Sequence, residues 1–354
     1  MQQYFDGVAP DGKGIAAPTL DSFAVPPRFR SATFDTYQPA AGYPSQRIAS
    51  ERVAAAVRAL QERGSGSTRL FGRVLRRPEP QWRGLYLDGG FGVGKTHLIA
   101  AAWHAAEGLD RAYLSFQELT YVVGALGMAR TLDLLGAADL ICLDEFELDD
   151  PGNTMLATSF VRGALERGAR VIATSNTLPN ELGQGRFSAH AFQREIGQLA
   201  ASFDTLRIDG EDYRHRHFSA DARPMRLLAN GSLPNDGIAV VGEDWSRLLR
   251  SLAALHPIHY ARIAASLPPL WLRDVAPLPD QDAALRFVHF ADKLYDYRVP
   301  LYLSGEVTLE SLFPSTFGYG PFERKFRRCR SRLYEMLTEP IEAPITVRAA
   351  AADD

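Results

Sequence analysis

The residues best suited to chemistry form one octapeptide, Gly89-Gly90-Phe91-Gly92-Val93-Gly94-Lys95-Thr96. Its spacing, G-x-x-x-x-G-K-[ST], folds backbone around phosphate. Glycines let successive N–H groups turn toward phosphate oxygens, and a helix opening at the lysine adds the positive end of its dipole. Lys95 is expected to bridge the β- and γ-phosphates of a nucleoside triphosphate, and the Thr96 hydroxyl to bind Mg²⁺. His97 is counted with Gly89–Thr96 as nucleotide-binding. Its imidazole and that of His104 have no Cys or His partner nearby in sequence and read as structural.

A second cluster follows the apolar run Leu140-Ile141-Cys142-Leu143, which ends in Asp144-Glu145. A buried strand of this kind delivers Asp144 to the metal at the carboxyl edge of a sheet, and Glu145 is placed to polarise the attacking water. The acids after it, Glu147, Asp149 and Asp150, read as a solvated face. The next apolar run, Val171-Ile172-Ala173-Thr174-Ser175, ends at Asn176, a polar tip able to hydrogen-bond the γ-phosphate and the lytic water. ATP and Mg²⁺ are the expected cofactors, and no other metal site or nucleophilic triad is visible.

The elements that must position these groups alternate. Strands are expected at Leu85–Leu87, Ala112–Phe116, Asp139–Leu143, Arg170–Thr174 and Leu206–Ile208. Helices are expected at Lys95–Glu107, Gln117–Leu135, Asn153–Arg167 and Phe192–Ala201. Such alternation implies a mostly parallel sheet with helices on both faces, an α/β P-loop NTPase fold. One strand stands between the phosphate-loop strand and the Asp144 strand, which is similar to the additional-strand ATPases. Asn176 then resembles the polar sensor residue of AAA+ ATPases.

The chain divides by composition into a lead-in with one helix (1–80), an ATPase core (81–218), a linker rich in Pro, Asn and Gly (219–240), a smaller C-terminal α/β subdomain (241–345) and a tail (346–354). In the subdomain the clear elements are a helix at Asp282–Tyr297, a strand at Val299–Ser304 and a helix at Phe322–Leu337.

With 354 residues, 46% of them hydrophobic, and a net charge of −3, the chain is neither disordered nor a generic polybasic binder of nucleic acid or membrane. Two cysteines cannot build a disulfide framework. There is no signal-like N-terminus and no apolar run of roughly 18 residues, so a cytoplasmic protein without a transmembrane segment is expected.

Only four of the 39 basic residues are lysine, so a single arginine carries little information. A γ-phosphate nevertheless needs a cation from outside its own loop, and in AAA+ assemblies a neighbouring subunit supplies it. Arg186, which follows a Gly-Gln-Gly turn, and Arg194 are the candidates, and a homo-oligomer is implied. In the last helix six of the nine residues from Arg324 to Arg332 are basic. These, Arg328 and Arg332 included, form a face able to reach nucleotide or an acidic partner, or one that is simply solvated. Thr33-Phe34-Asp35-Thr36-Tyr37 offers aromatics for adenine or an anchor for the loop.

Together GLYLDGGFGVGKTHL, LICLDEFELDD, ARVIATSNTLPNEL, IDGEDYRHR, ALRFVHFADKLYDYRVPLYLSGEV and FRRCRSRLYEM resemble the ZapE family, bacterial cell-division ATPases related to an AAA+-like ATPase of mitochondria. The resemblance implies an ATP hydrolase with a C-terminal α/β part, acting near the division ring with FtsZ or another protein client as partner. Mitochondrial relatives imply protein quality control as an alternative. By position it carries roles to Lys95, Thr96, Asp144, Glu145 and Asn176, and it sets Arg186 near the family's arginine and Arg328 and Arg332 in its terminal motif. Val93 departs from the family's usual arginine, and DDPGNTMLA replaces its acidic run. The ATPase core is also shared with helicase loaders, which act on nucleic-acid-bound partners.

Overall fold

The computed structural model describes residues 19–65, 84–146, 151–176, 193–211, 224, 226–228, 240–317 and 322–341. The chain forms two compact units, one of residues 8–220 with 319–324, the other of residues 1–7, 221–318 and 325–354.

The first unit is built on five parallel strands: β1 (Gly84–Gly89), β2 (Arg111–Ser115), β3 (Leu140–Asp144), β4 (Arg170–Ser175) and β5 (Phe203–Ile208). Their spatial order is β2-β3-β4-β1-β5. Strands β1, β3 and β4 are buried along their whole length, which is why they read as continuous apolar runs instead of alternating ones. Alternate side chains feed two cores. Tyr86, Ile141, Leu143, Val171 and Ala173 enter one, and Leu85, Leu87, Cys142 and Ile172 enter the other.

Helices cover both faces. On the second core lie α1 (Pro44–Ser65), through Ala49, Val53 and Val57, and α2 (Lys95–Ala105), through Leu98, Ile99 and Ala102. On the first lie α3 (Phe116–Leu126), α4 (Met128–Leu135), α5 (Pro151–Glu166) and α6 (Gln193–Ala201), through residues such as Leu119, Leu135, Phe160 and Leu199. The parallel α/β fold expected from the sequence is therefore present. The single helix expected over Gln117–Leu135 is two, because Gly127 adopts φ 78° and turns the chain between them. Ser115 caps α3 by accepting the Glu118 N–H, while the Glu118 carboxylate accepts the Ser115 N–H at 2.8 Å.

The second unit holds a four-stranded parallel sheet ordered β6-β9-β8-β7, with β6 at Leu227–Leu228, β7 at Val241–Asp244, β8 at Leu270–Arg273 and β9 at Leu301–Ser304. Its helices are α7 (Trp245–Ala254), α8 (Tyr260–Ser266), α9 (Gln281–Asp296) and α10 (Glu323–Thr338). Strand β6 lies inside the stretch read as a linker: Leu227 and Leu228 pair with Leu303 and Ser304. Two apolar residues between loop-forming neighbours were too short a pattern to stand out.

Candidate functional site

β1 runs straight into the glycine-rich loop, and the loop into α2. Gly92 (φ 68°) and Gly94 (φ 89°) occupy left-handed backbone that side chains resist. A Cβ on Gly94 would also strike the ring of Tyr37, and one on Gly89 the carbonyl of Ile208. At Gly90 a Cβ would meet nothing within 4 Å, so this part of the loop is open. Val93 is buried in the core beneath.

Inside the curve sits the Lys95 ammonium, donating to the carbonyls of Gly89 (2.8 Å) and Gly90 (2.5 Å) and to Asn176 Oδ1 (2.9 Å). An anionic phosphate is a stronger partner for an ammonium than a neutral carbonyl is. Asn176 is brought here by register. Asp88 pairs with Ser175, which sets the residue after β4 level with the start of the loop.

One strand further over, Asp144 ends β3 as a buried carboxylate surrounded by donors. Tyr113 Oη donates to Oδ2 at 2.7 Å. Oδ1 accepts from the Thr174 hydroxyl, from the Glu145 N–H at 3.1 Å and from the Thr96 hydroxyl at 3.4 Å. Thr96 and Asp144 thus present hydroxyl and carboxylate oxygens side by side, the donors a small hard cation takes, so the residues present fit Mg²⁺. Among the described residues no group of three or more His, Cys, Asp or Glu could hold a metal.

Glu145 follows with φ 54°, an uncommon conformation for a residue with a side chain. Its N–H also reaches Thr174 Oγ1 at 3.0 Å, and the Phe146 N–H reaches the Thr174 carbonyl at 2.7 Å. Phe146 is wholly buried, with its ring 4.8 Å from that of Phe116 and 6.2 Å from that of Tyr86. The turn that carries Glu145 is therefore fastened on both sides.

The structure thus brings together Gly89, Gly90, Phe91, Gly92, Val93, Gly94, Lys95, Thr96, Asp144, Glu145 and Asn176. The His97 imidazole turns to the Thr33 carbonyl (2.9 Å) and the Thr36 hydroxyl (3.1 Å). Tyr37 donates to the Val93 carbonyl at 3.0 Å, and burial pushes its phenol up to about 12. The Thr33–Tyr37 segment is accordingly the anchor of the loop. Arg186, Glu147, Asp149 and Asp150 lie outside the described residues, and Arg194 is exposed on α6.

Arg328 and Arg332 correct the sequence expectation. They are not on an open basic face: both are buried in the second unit, on Asp292 Oδ2 (2.9 Å) and Oδ1 (2.5 Å). Helical spacing sets Arg328 mainly on the side away from the apolar stripe and Arg332 at its flank, but it cannot show that α9 offers both a carboxylate.

Sequence reasoning passed over three groups. Tyr113 and Thr174 lie within expected strands and did not stand out there. Asp88, 1% exposed and directly before the loop, is paired with Arg207 at 2.5 Å across β1 and β5. A charged residue inside a buried strand was the one available signal for that pair.

The sequence profile of the AFG1-like ATPase family matches residues 26–232 and 239–343. The chain is 28% identical over 298 residues to the cell division protein ZapE of Escherichia coli K12, covering 73% of this chain and 78% of that protein. It is 26% identical over 291 residues to lactation elevated protein 1 homolog B of Danio rerio, covering 67% of this chain and 58% of that one. Among solved structures the DnaC helicase loader superposes with a TM-score of 0.36 at 18% identity, over 51% of this chain and 99% of that one.

Proposed function

The chain belongs to the AFG1-like ATPase family and is a P-loop ATPase, and from that premise we propose that it uses Mg²⁺-dependent ATP hydrolysis to remodel a protein of the division apparatus, FtsZ or another client. The observation that carries the reading is the convergence of Lys95, Thr96, Asp144, Glu145 and Asn176 through contacts of 2.9–3.4 Å at the ends of three neighbouring strands.

In this reading the N–H groups of Gly89–His97 cradle the phosphates, and Lys95 exchanges its carbonyl partners for phosphate oxygens. Mg²⁺, held through Thr96 and Asp144, supplies charge neutralisation on the phosphates when bound. Asn176 orients the γ-phosphate and the attacking water, and the Glu145 carboxylate takes up the proton of that water. An arginine of a neighbouring copy, Arg186 or Arg194, completes the site in a homo-oligomer.

The division context rests on the similarity to ZapE. Among the described residues no helix is long and apolar enough to cross a membrane; a cytoplasmic protein recruited to the division site is part of the proposal.

The test pairs Lys95→Ala with Glu145→Gln. The first is expected to lose ATP binding. The second is expected to keep binding, stop hydrolysis, and pellet with polymerised FtsZ only when ATP is present. Normal hydrolysis by Glu145→Gln sinks the assignment of the base. Absence of pelleting with and without ATP removes FtsZ as a direct partner while leaving the ATPase intact, and single-stranded DNA binding that weakens with salt would then favour a helicase-loader role.

A further inference from the structure

We propose that Thr174 is a positioning residue for hydrolysis: it locks Asp144 and Glu145 into one arrangement, so that the base stands ready before nucleotide arrives. The inference rests on the proposed roles of Asp144 and Glu145.

Thr174 is 1% exposed and lies in the middle layer of the sheet, between β3 and β1. It pairs with Leu87 of β1 in register, while Ala173 before it pairs with Leu143 of β3, so Thr174 stands level with Asp144. A threonine hydroxyl has one proton to give and lone pairs that accept. Here the proton goes to Asp144 Oδ1, and a lone pair takes the Glu145 N–H at 3.0 Å. The Thr174 carbonyl takes the next N–H, that of Phe146, at 2.7 Å. One residue therefore fixes the metal-binding carboxylate, the peptide that leads into the base and the peptide that leads out.

The need for such a lock follows from the backbone. Glu145 sits at φ 54°, where a residue with a side chain stays only if its surroundings over-determine it. Take away the Thr174 hydroxyl and the Glu145 N–H loses its 3.0 Å acceptor, while its 3.1 Å contact with Asp144 is to an adjacent group of its own strand end. The turn then relaxes toward ordinary backbone and carries the Glu145 carboxylate off line. The loop contacts of Lys95 with Gly89 and Gly90 do not involve Thr174, so the loss falls on turnover more than on nucleotide binding.

The test uses full-length protein carrying Thr174→Val, which keeps the branched shape and removes the hydroxyl, and Thr174→Ser, which restores it. ATPase kinetics, titration with a fluorescent ATP analogue and thermal unfolding are measured on both, with Glu145→Gln as reference. Misplacing a reacting group by a fraction of an ångström to an ångström costs about 10- to 100-fold, so kcat of Thr174→Val is expected to fall by at least about tenfold. Analogue affinity is expected to stay within about twofold, the signature of an interaction expressed in turnover alone. Thr174→Ser is expected to recover most of kcat.

Two results overturn the proposal. In the first, Thr174→Val turns over like the parent while Glu145→Gln is dead. In the second, Val and Ser lose kcat and thermal stability equally, which marks a packing role. Normal turnover by Glu145→Gln is a separate result, and it fails the underlying assignment of the base together with the proposal.

Discussion

Replacing Asp292 with asparagine is the sharpest test of what holds the second unit together. The carboxylate lies on α9 and takes Arg328 at 2.9 Å and Arg332 at 2.5 Å, with all three side chains 10% exposed or less. Arg332 also lies 5.0 Å from the centroid of the Tyr295 ring, and the Tyr295 hydroxyl donates to Glu335 at 2.9 Å. Asparagine keeps the shape and one acceptor oxygen but removes the charge that two buried guanidiniums share. Breaking a buried pair on one side costs about 3–5 kcal/mol, and the retained acceptor argues for the lower end, about 3 kcal/mol. With a urea slope of about 2 kcal/mol/M, the unfolding midpoint falls by about 1.5 M. Two of the four tryptophans, Trp245 and Trp271, lie in this unit, so fluorescence follows its unfolding. Burial alone would push the Asp292 carboxyl up, but Arg332 and Arg328 outweigh it and hold it well below the usual carboxylate range. The stability from its ionised form is thus complete above the ordinary carboxylate range, near pH 4, and is lost as pH falls through the lower folded value. The gap between parent and variant is expected to be level from neutral pH down to about pH 5 and to close below about pH 4. A midpoint change under about 0.3 M at neutral pH, or a gap that stays open in acid, refutes the reasoning.

Gly94→Ala places a methyl group against the Tyr37 ring at a backbone φ of 89°. It is expected to cost about 1–3 kcal/mol of stability and to weaken ATP binding at least about tenfold, checked by thermal unfolding and analogue titration. Parent-like affinity would show that the cradle does not need this conformation. Cys142 and Cys329 are wholly buried, and desolvation raises both thiols far above their ordinary range. A thiol-specific reagent at pH 8 should label neither in folded protein and both after denaturation; rapid labelling of one in the folded state contradicts the packing around it.

Much of the first unit was legible because its signals are local. A glycine loop between strand and helix, an apolar run ending in Asp144-Glu145, and a second run ending in Asn176 each declare themselves in a few consecutive residues. What failed to read was pairing between distant segments. Arg328 and Arg332 carry the same letters whether they face solvent or a carboxylate on α9, and only the packing of α10 on α9 decides. Leu227–Leu228 becomes a strand because β9 offers an edge to it, not because two leucines prefer one. Gly127 was readable in principle, since a glycine with φ 78° splits α3 from α4, but the apolar spacing continues through it and hides the turn.

The site itself divides along the same line. Lys95, Thr96, Asp144 and Glu145 announce chemistry by type and spacing. Their working geometry depends on β4 lying between β1 and β3 in space although it follows both in sequence. That insertion sets Asn176 beside Lys95 and Thr174 beside Asp144, so one strand supports the Lys95 end and the Asp144 end of the site together. A hydroxyl in an apolar strand looks like a small imperfection in packing when read along the chain. Read across the sheet, one Thr174 hydroxyl joins the Asp144 carboxylate and the Glu145 N–H, and Thr174→Val is expected to keep the fold while uncoupling them. Residues whose importance lies across strands will be missed by any search for reactive types, and a buried hydroxyl level with a carboxylate at a strand end is the place to look for them.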